Sequence, residues 1–236
     1  MKNVVAYSLW GDKLMYWTGA LKNIEKVKEY FPGWICRFYI DRNCNPDLIN
    51  TIKGDNVEVI LVDSVGHNTN SYSHYGMFWR FSASEDPDVG IFLSRDCDSR
   101  ITEREVNAIN DWLSSDKDFH IMRDHPYHQV PILGGMWGCR NGIMRKIGLS
   151  QLVTNWLNNN KRDSYSFGID QDFLKEVVYG LVKNTSMEHS EFSISYGNEI
   201  TKFPTNRENY EFVGDVFDEN DMRHPDFWKI IKNVLG

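Results

Sequence analysis

The run Val89-Gly90-Ile91-Phe92-Leu93-Ser94-Arg95-Asp96-Cys97-Asp98 decides how the chain is read. Its opening residues are apolar apart from one glycine, the pattern of a strand buried on both faces, as in parallel sheets covered by helices. The carboxylates fall just past that strand's carboxyl end, where open α/β sheets bind their ligands. In extended chain, residues i and i+2 point the same way, so Asp96 and Asp98 are expected to converge on one hard cation while Cys97 faces inward. Mg²⁺ or Mn²⁺ suits such a pair, because one or two carboxylates and phosphate oxygens satisfy it. The plain alternative is an acidic turn neutralised by its neighbours Arg95 and Arg100.

Upstream, strand patterns at residues 4–9, 35–40 and 57–62 alternate with helical patterns at 17–30, 46–52 and 75–84. This rhythm, ending on the strand at 89–93, predicts an α/β domain with a mostly parallel central sheet flanked by helices. Downstream, 102–116 carries the clearest helix signal. Thr102 and Glu105 form a capping box, and Val106, Ile109, Trp112 and Leu113 share one face. Further strands are expected at 119–122 and, interrupted by glycines, at 132–139. Helices are expected at 143–157 and at 170–181, the latter burying Phe173, Leu174, Val177, Val178 and Leu181. Past Ser186 the pattern weakens to possible strands at 192–196 and 210–213 and a helix at 226–234. No shift of composition divides the chain, so residues 1–236 are read as a single domain.

The 236 residues include 33 acidic against 26 Lys and Arg, a formal charge of −7, with 41% hydrophobic and 25% charged residues. That composition supports a buried core and argues against a general nucleic-acid binder, which needs a basic stripe. No apolar run approaches the ~20 residues of a membrane span, and the first residues lack a signal-peptide pattern, so a cytoplasmic protein is expected. Cys36, Cys44, Cys97 and Cys139 form no CxxC pair and read as free thiols.

A strand ending in DxD midway through a βαβ-rich chain resembles the nucleotide-sugar glycosyltransferases of the GT-A fold. The stretches IFLSRDCDSR (91–100), EREVNAINDWL (103–113), HIMRDHPYH (120–128) and ILGGMWGCR (132–140) are similar to a glycosyltransferase-like family from bacterial and viral sources. The similarity extends more weakly to GIDQDFL (168–174) and EFVGDVFDEN (211–220). It implies a single GT-A-like, Rossmann-type domain, with residues 1–100 holding the nucleotide and 101–236 the sugar and acceptor. The implied reaction moves a sugar from a nucleoside diphosphate sugar, by preference a UDP-sugar, to a hydroxyl of a saccharide acceptor.

By the same resemblance, Asp96 and Asp98 hold a Mn²⁺ or Mg²⁺ that stabilises the departing diphosphate as a Lewis acid, and Asp96 counts among the donor-binding residues. A third metal ligand is taken from near the C-terminus, for which His224 and His189 are available. Asp170, Gln171 and Asp172 resemble the DQD at a helix start that lines the sugar pocket of retaining galactosyltransferases and glycogenin-like enzymes. An Asp-rich helix start is equally what capping and dipole compensation select. Tyr7, Ser8 and Trp10 at the first strand's exit match the base and ribose site, and Arg80 the donor phosphates. Gly134 and Gly135 would let the backbone approach the donor sugar. His120, His125 and His128 lack zinc spacing. Arg123, Asp124 and His125 are expected as a polar rim to the donor pocket, with His120 inside a strand.

An inverting reaction would require a carboxylate base, Asp170 or Asp172, whereas a retaining one would use Gln171 near the anomeric carbon. The polar loops at 65–73 and 158–166 suit closure over the donor. Two other readings stand beside the transferase, in either a monomer or a homodimer. One is an inactive saccharide-binding or scaffold module, and the other is a phosphoesterase, whose Asp pair would follow the first strand rather than the fourth.

Overall fold

The computed structural model describes residues 1–63, 74–159, 168–192 and 195–236. Seven strands share one sheet: β1 (Lys2–Leu9), β2 (Ile35–Asp41), β3 (Val57–Val62), β4 (Val89–Ser94), β5 (Phe119–Arg123), β6 (Trp137–Arg140) and β7 (Ser186–Ser190). Their order is β3-β2-β1-β4-β6-β5-β7, and every pair is parallel except that β6 runs against both β4 and β5. The helices are α1 (Leu14–Tyr30), α2 (Pro46–Ile49), α3 (Glu103–Leu113), α4 (Ile143–Ile147), α5 (Leu149–Asn159), α6 (Ile169–Phe173), α7 (Tyr179–Val182) and α8 (Pro225–Leu235). No helix among the described residues is long and apolar enough to cross a membrane. All four cysteines are free and buried.

β1 lies inside the sheet between β2 and β4 and is buried from Val4 to Leu9, as a strand covered on both faces must be. Alternation sends Val5, Tyr7 and Leu9 to the α1 and α3 side, where they meet Trp17, Val27 and Trp112. Val4 and Ala6 face the opposite layer, with Phe81, Phe173 and Trp137.

Several expected elements form with altered geometry. The helix expected at 75–84 is a 3-10 helix over His74–Glu85. With three residues per turn, Met77 and Arg80 fall in line. At the start of α3 the Thr102 hydroxyl accepts from the Glu105 N–H at 3.3 Å. The reciprocal half of the capping box is absent, because the Glu105 carboxylate is buried against Arg95. The helix expected at 143–157 breaks at Gly148, whose φ of 68° ends α4 in the left-handed region. Between α6 and α7 the segment Leu174–Val178 winds as a π-helix. Its wider turn moves the buried stripe on by one residue, leaving Leu181 55% exposed while Val182 is 1% exposed.

The glycine-rich strand expected at 132–139 is shorter, beginning at Trp137, and residues 132–136 form a turn. No strand occupies 210–213, nor the described part of 192–196. The strand in this region is β7, Ser-Met-Glu-His-Ser, whose polar residues are buried because each charge has a partner across the sheet. Glu188 pairs with Arg123 of β5, and His189 lies 2.8 Å from His120. The loops expected to close over the donor lie outside the described residues, save Asn158 and Asn159, which end α5.

Asp124, just past β5, docks the segment 201–224 onto this half of the sheet. Its carboxylate accepts from Arg104 at 2.9 and 3.0 Å, from Arg207 at 2.5 Å and from the Val213 N–H at 2.9 Å. Replacing Asp124 with Ala leaves two guanidinium groups without their shared counter-charge. The expected loss is about 3–5 kcal/mol of unfolding free energy, measured in urea, with tryptic cleavage in 201–224 preceding cleavage elsewhere.

Candidate functional site

The chain runs outward from β1 to β2 and β3, then returns to the other side of β1 as β4, so the carboxyl ends of β1 and β4 flank a topological switch point. A cleft of about 620 Å³ opens there, the size of a small-ligand site. Residues 8–13 at the end of β1 and beyond it, with Tyr16 of α1, form one wall, and Asp96, Cys97 and Asp98 after β4 another.

The DxD segment is a turn rather than an extended continuation of β4, closed by Ser99 N–H to the Asp96 carbonyl at 3.4 Å. Asp96 and Asp98 both line the cleft, and Cys97 is turned inward, with its sulfur 3.7 Å from the Ser8 carbonyl. Neither adjacent arginine neutralises them. Arg95 pairs with Glu105, and Arg100 with Asp221 at 2.9 Å. The nearby cation is Arg80, buried, with Nη1 on Asp96 and Nη2 3.0 Å from Asp170 Oδ2. Its backbone N–H donates to Ser8 Oγ at 3.0 Å, tying the 3-10 helix to the end of β1. Burial works against the guanidinium charge, but Asp96 and then Asp170 more than offset it.

Asp98 makes no direct ion pair with Arg80, and the charges of Arg80 and Arg100 offset its burial only in part. Burial, and then the charge of Asp96, push its carboxyl up to about 7. Burial also raises Asp170 above the usual carboxylate range, with Arg80 offsetting part of the effect. The Tyr16 phenol is pushed up to about 12 by burial and then by Asp98 and Asp96.

The glycine pair explains how the carboxylates fit. A Cβ at Gly134 would stand 2.0 Å from Asp170 Oδ2, and one at Gly135 2.0 Å from Asp96 Oδ2. The turn before β6 therefore presses its backbone against both carboxylates, and Ser94 Oγ ties it down by donating to the Gly134 carbonyl at 2.6 Å. Gly168, at φ 81°, starts α6 and sets Asp170 at the cleft, where its Oδ1 accepts from Gln171 N–H at 3.0 Å.

Of the residues singled out by sequence, Ser8, Trp10, Arg80, Asp96, Asp98, Gly134, Asp170 and Gln171 line the cleft. Gly135 lies behind Asp96. Tyr7 does not line the cleft. Its odd position in β1 turns it into the α1 layer, where it stacks on Phe38 at 4.9 Å. Asp172 lies off the cleft and half-buried. His224 precedes α8 with Nδ1 3.9 Å from Asp226, and His189 is buried between His120 and Asp111, so neither joins the carboxylates. Arg123, Asp124 and His125 form no rim, being buried in ion pairs and ring contacts beneath the cleft. His128 reaches the cleft instead, and Lys13, Tyr16, Met77, Met136 and Gly214 join it. For Met77 the usable signal was its i, i+3 spacing from Arg80. For Gly214 it was a lone glycine inside the weakly similar segment at 211–220.

A hard divalent cation fits the carboxylate pair. Asp98 carries a desolvated, like-charge-opposed carboxyl that a cation would relieve, and Asp96 remains half open to the cleft. Among the described residues no group of three or more His, Cys, Asp or Glu side chains could hold a metal. The pair thus fits Mg²⁺ or Mn²⁺ only in the mode where substrate oxygens complete the shell.

No family model and no curated protein matches the sequence. Among solved structures, the chain is similar to galactosyltransferase LgtC in complex with donor and acceptor sugar analogs, at 12% identity and TM-score 0.51, covering 79% of this chain and 73% of that one. It is also similar to the glycosyltransferase GlyE of Streptococcus pneumoniae TIGR4, at 11% identity and TM-score 0.52. That match covers 80% of this chain but 45% of GlyE, so the chain spans less than half of GlyE's length. The likeness is one of fold, and the chain shares the GT-A-type architecture of these proteins.

Because Asp98 holds its proton more tightly folded than unfolded, it costs stability as pH rises from the ordinary carboxylate range through about 7. Asp98→Asn is expected to match the parent near pH ~4 and to exceed it near pH ~8 by on the order of 1–3 kcal/mol. Urea unfolding at the two pH values, without divalent metal, measures it, and equal stability at the higher pH would contradict the assignment.

Proposed function

We propose that the protein is a metal-dependent glycosyltransferase, moving a sugar from a nucleoside diphosphate sugar, by preference a UDP-sugar, to a hydroxyl of a saccharide acceptor. The observation that carries this reading is the meeting of Asp96, Asp98, Arg80 and Asp170 around one cleft at the β1–β4 switch point. The shared fold with LgtC and GlyE supports it. So does an active-site mutant of LgtC in which a glutamine becomes glutamate, since Gln171 lines the cleft here.

In this reading residues 1–100 receive the nucleotide. Trp10, braced edge-on by Trp79 at 6.0 Å, offers a face to the base, and Lys13 and Arg80 offer positive charge to phosphate oxygens. Asp96 and Asp98 would hold Mg²⁺ or Mn²⁺, which when bound supplies Lewis-acid neutralisation of the leaving diphosphate. Asp170 and Gln171, from the half spanning 101–236, would take hydroxyls of the transferred sugar. An inverting course leaves Asp170 as the base, since Asp172 lies off the cleft, and a retaining course asks only for Gln171 beside the anomeric carbon. A second reading, an inactive saccharide-binding module, is favoured by the Arg80–Asp96 pair, in which a protein cation already meets one carboxylate.

A thermal-shift panel of UDP, GDP, CMP and ADP, each with Mn²⁺, Mg²⁺ or EDTA, separates the two. The expected result is stabilisation by a uridine nucleotide with metal, about 2.7 kcal/mol at 100 times its dissociation constant. The Asp96→Ala, Asp98→Ala double variant should lose it. No shift with any nucleotide would turn the case to the inactive module.

A further inference from the structure

His128 is the histidine whose ring lines the cleft, and the chain fixes its protonation from behind. The Asp124 backbone N–H donates to His128 Nδ1 at 3.0 Å. A ring nitrogen that accepts carries no proton, so the neutral imidazole carries its proton on Nε2. The Asp124 carboxylate cannot draw the ring toward imidazolium, being taken by Arg104, Arg207 and the Val213 N–H. Burial, followed by His125, Arg207 and Arg123, holds the ring neutral, down to about 3. Among the described residues nothing accepts from Nε2, and this nitrogen is not one of the enclosed, unpartnered atoms.

The cleft wall beside this donor is apolar, and the arginines whose charge reaches the ring, Arg123 and Arg207, are paired with Glu188 and Asp124. Leu133, Met136, Gly214 and Val216 line the cleft with His128. At Gly214, φ 86°, a Cβ would stand 2.9 Å from Met136 Sδ and 3.7 Å from His128 Cε1, so the glycine keeps this corner open. Asp96, Asp170 and Arg80 gather around Gly134 and Gly135.

We propose that His128 is a specificity-determining residue whose Nε2–H donates to an uncharged oxygen, a hydroxyl or a ring ether, of a saccharide seated against Leu133, Met136 and Gly214. The identity of the ligand as a saccharide rests on the transferase reading. A ring already protonated at Nε2 takes no proton there, so His128 is no general base. It selects for a sugar that presents an oxygen at this point, because a ligand lacking one leaves a buried N–H unpaired. Arg123 and Arg207, whose charge reaches the ring, are already paired with Glu188 and Asp124, so a neutral sugar is preferred over a uronate.

The test uses the full chain with ¹⁵N-labelled histidine. Long-range ¹H–¹⁵N spectra should give the Nε2–H tautomer at neutral pH, and the Nε2 signal should move on titration with at least one neutral methyl pyranoside of the gluco, galacto, manno or fuco series but not with methyl glucuronide. His128→Asn keeps an acceptor for the Asp124 N–H but has no donor at the Nε2 position, and should weaken that binding about 5- to 10-fold. His128→Gln, with an amide N–H near the Nε2 position, should recover most of it. Both variants should keep the parent's nucleotide thermal shift. Competition by UDP-sugar but not by UDP assigns the donor sugar to this corner, and simultaneous binding assigns the acceptor. An Nδ1–H tautomer, an imidazolium at neutral pH, no response to any neutral glycoside, or unweakened binding by His128→Asn overturns the inference. An intact nucleotide shift in that event leaves the transferase reading standing. A glycoside response without any nucleotide shift sinks that reading and keeps this one.

Discussion

Arg80 binds together three segments that are far apart in sequence. Its guanidinium reaches Asp96 after β4 and Asp170 at the start of α6, while its backbone holds Ser8 at the end of β1. A buried guanidinium needs carboxylates around it, and buried carboxylates need a cation, so the three segments stay together because none of their charges can be left alone in that place. The glycine turn before β6 then closes on the pair of carboxylates that Arg80 has drawn in. Asp98, which Arg80 does not contact, is the member of the group whose charge is poorly supported by the protein itself.

The two halves of the sheet differ in how many buried polar pairs supplement the hydrophobic core, and this governs how much the sequence reveals. Around β1, β2 and β4 the core is aliphatic and aromatic, and hydrophobic alternation is a local property that can be read within ten residues. The strands, α1 and the position of the carboxylates beyond β4 were accordingly legible. Around β5 and β7, where Phe119 and Ile121 join the same core, buried polar pairs are added: Arg123 with Glu188, His120 with His189, and Asp124 with Arg104 and Arg207. Such partners lie far apart in sequence, and each residue alone reads as surface. Hence no sequence pattern marks β7, and Arg123, Asp124 and His125 read as a rim.

The same contrast explains the smaller departures at the site. Tyr7 was assigned to the cleft because it is aromatic and near a strand's end, but β1 continues to Leu9 and parity decides which face it takes. Asp96 and Asp98 share the cleft even though the segment turns where extended chain was expected, since the turn is built around Ser99 and keeps Cys97 inside. His128 carried a visible residue type but no visible role, because what orients it is a backbone N–H.

The glycine turn also sets the routes by which this cleft could be reshaped by mutation. Any side chain at 134 or 135 would collide with a carboxylate, so those two positions are closed to change without dismantling the charge cluster. Their flanks, Leu133 and Met136, are apolar and line the cleft. A lineage adapting to a different sugar would therefore be channelled through these flanking positions, recontouring the apolar corner while the charged machinery stays unaltered.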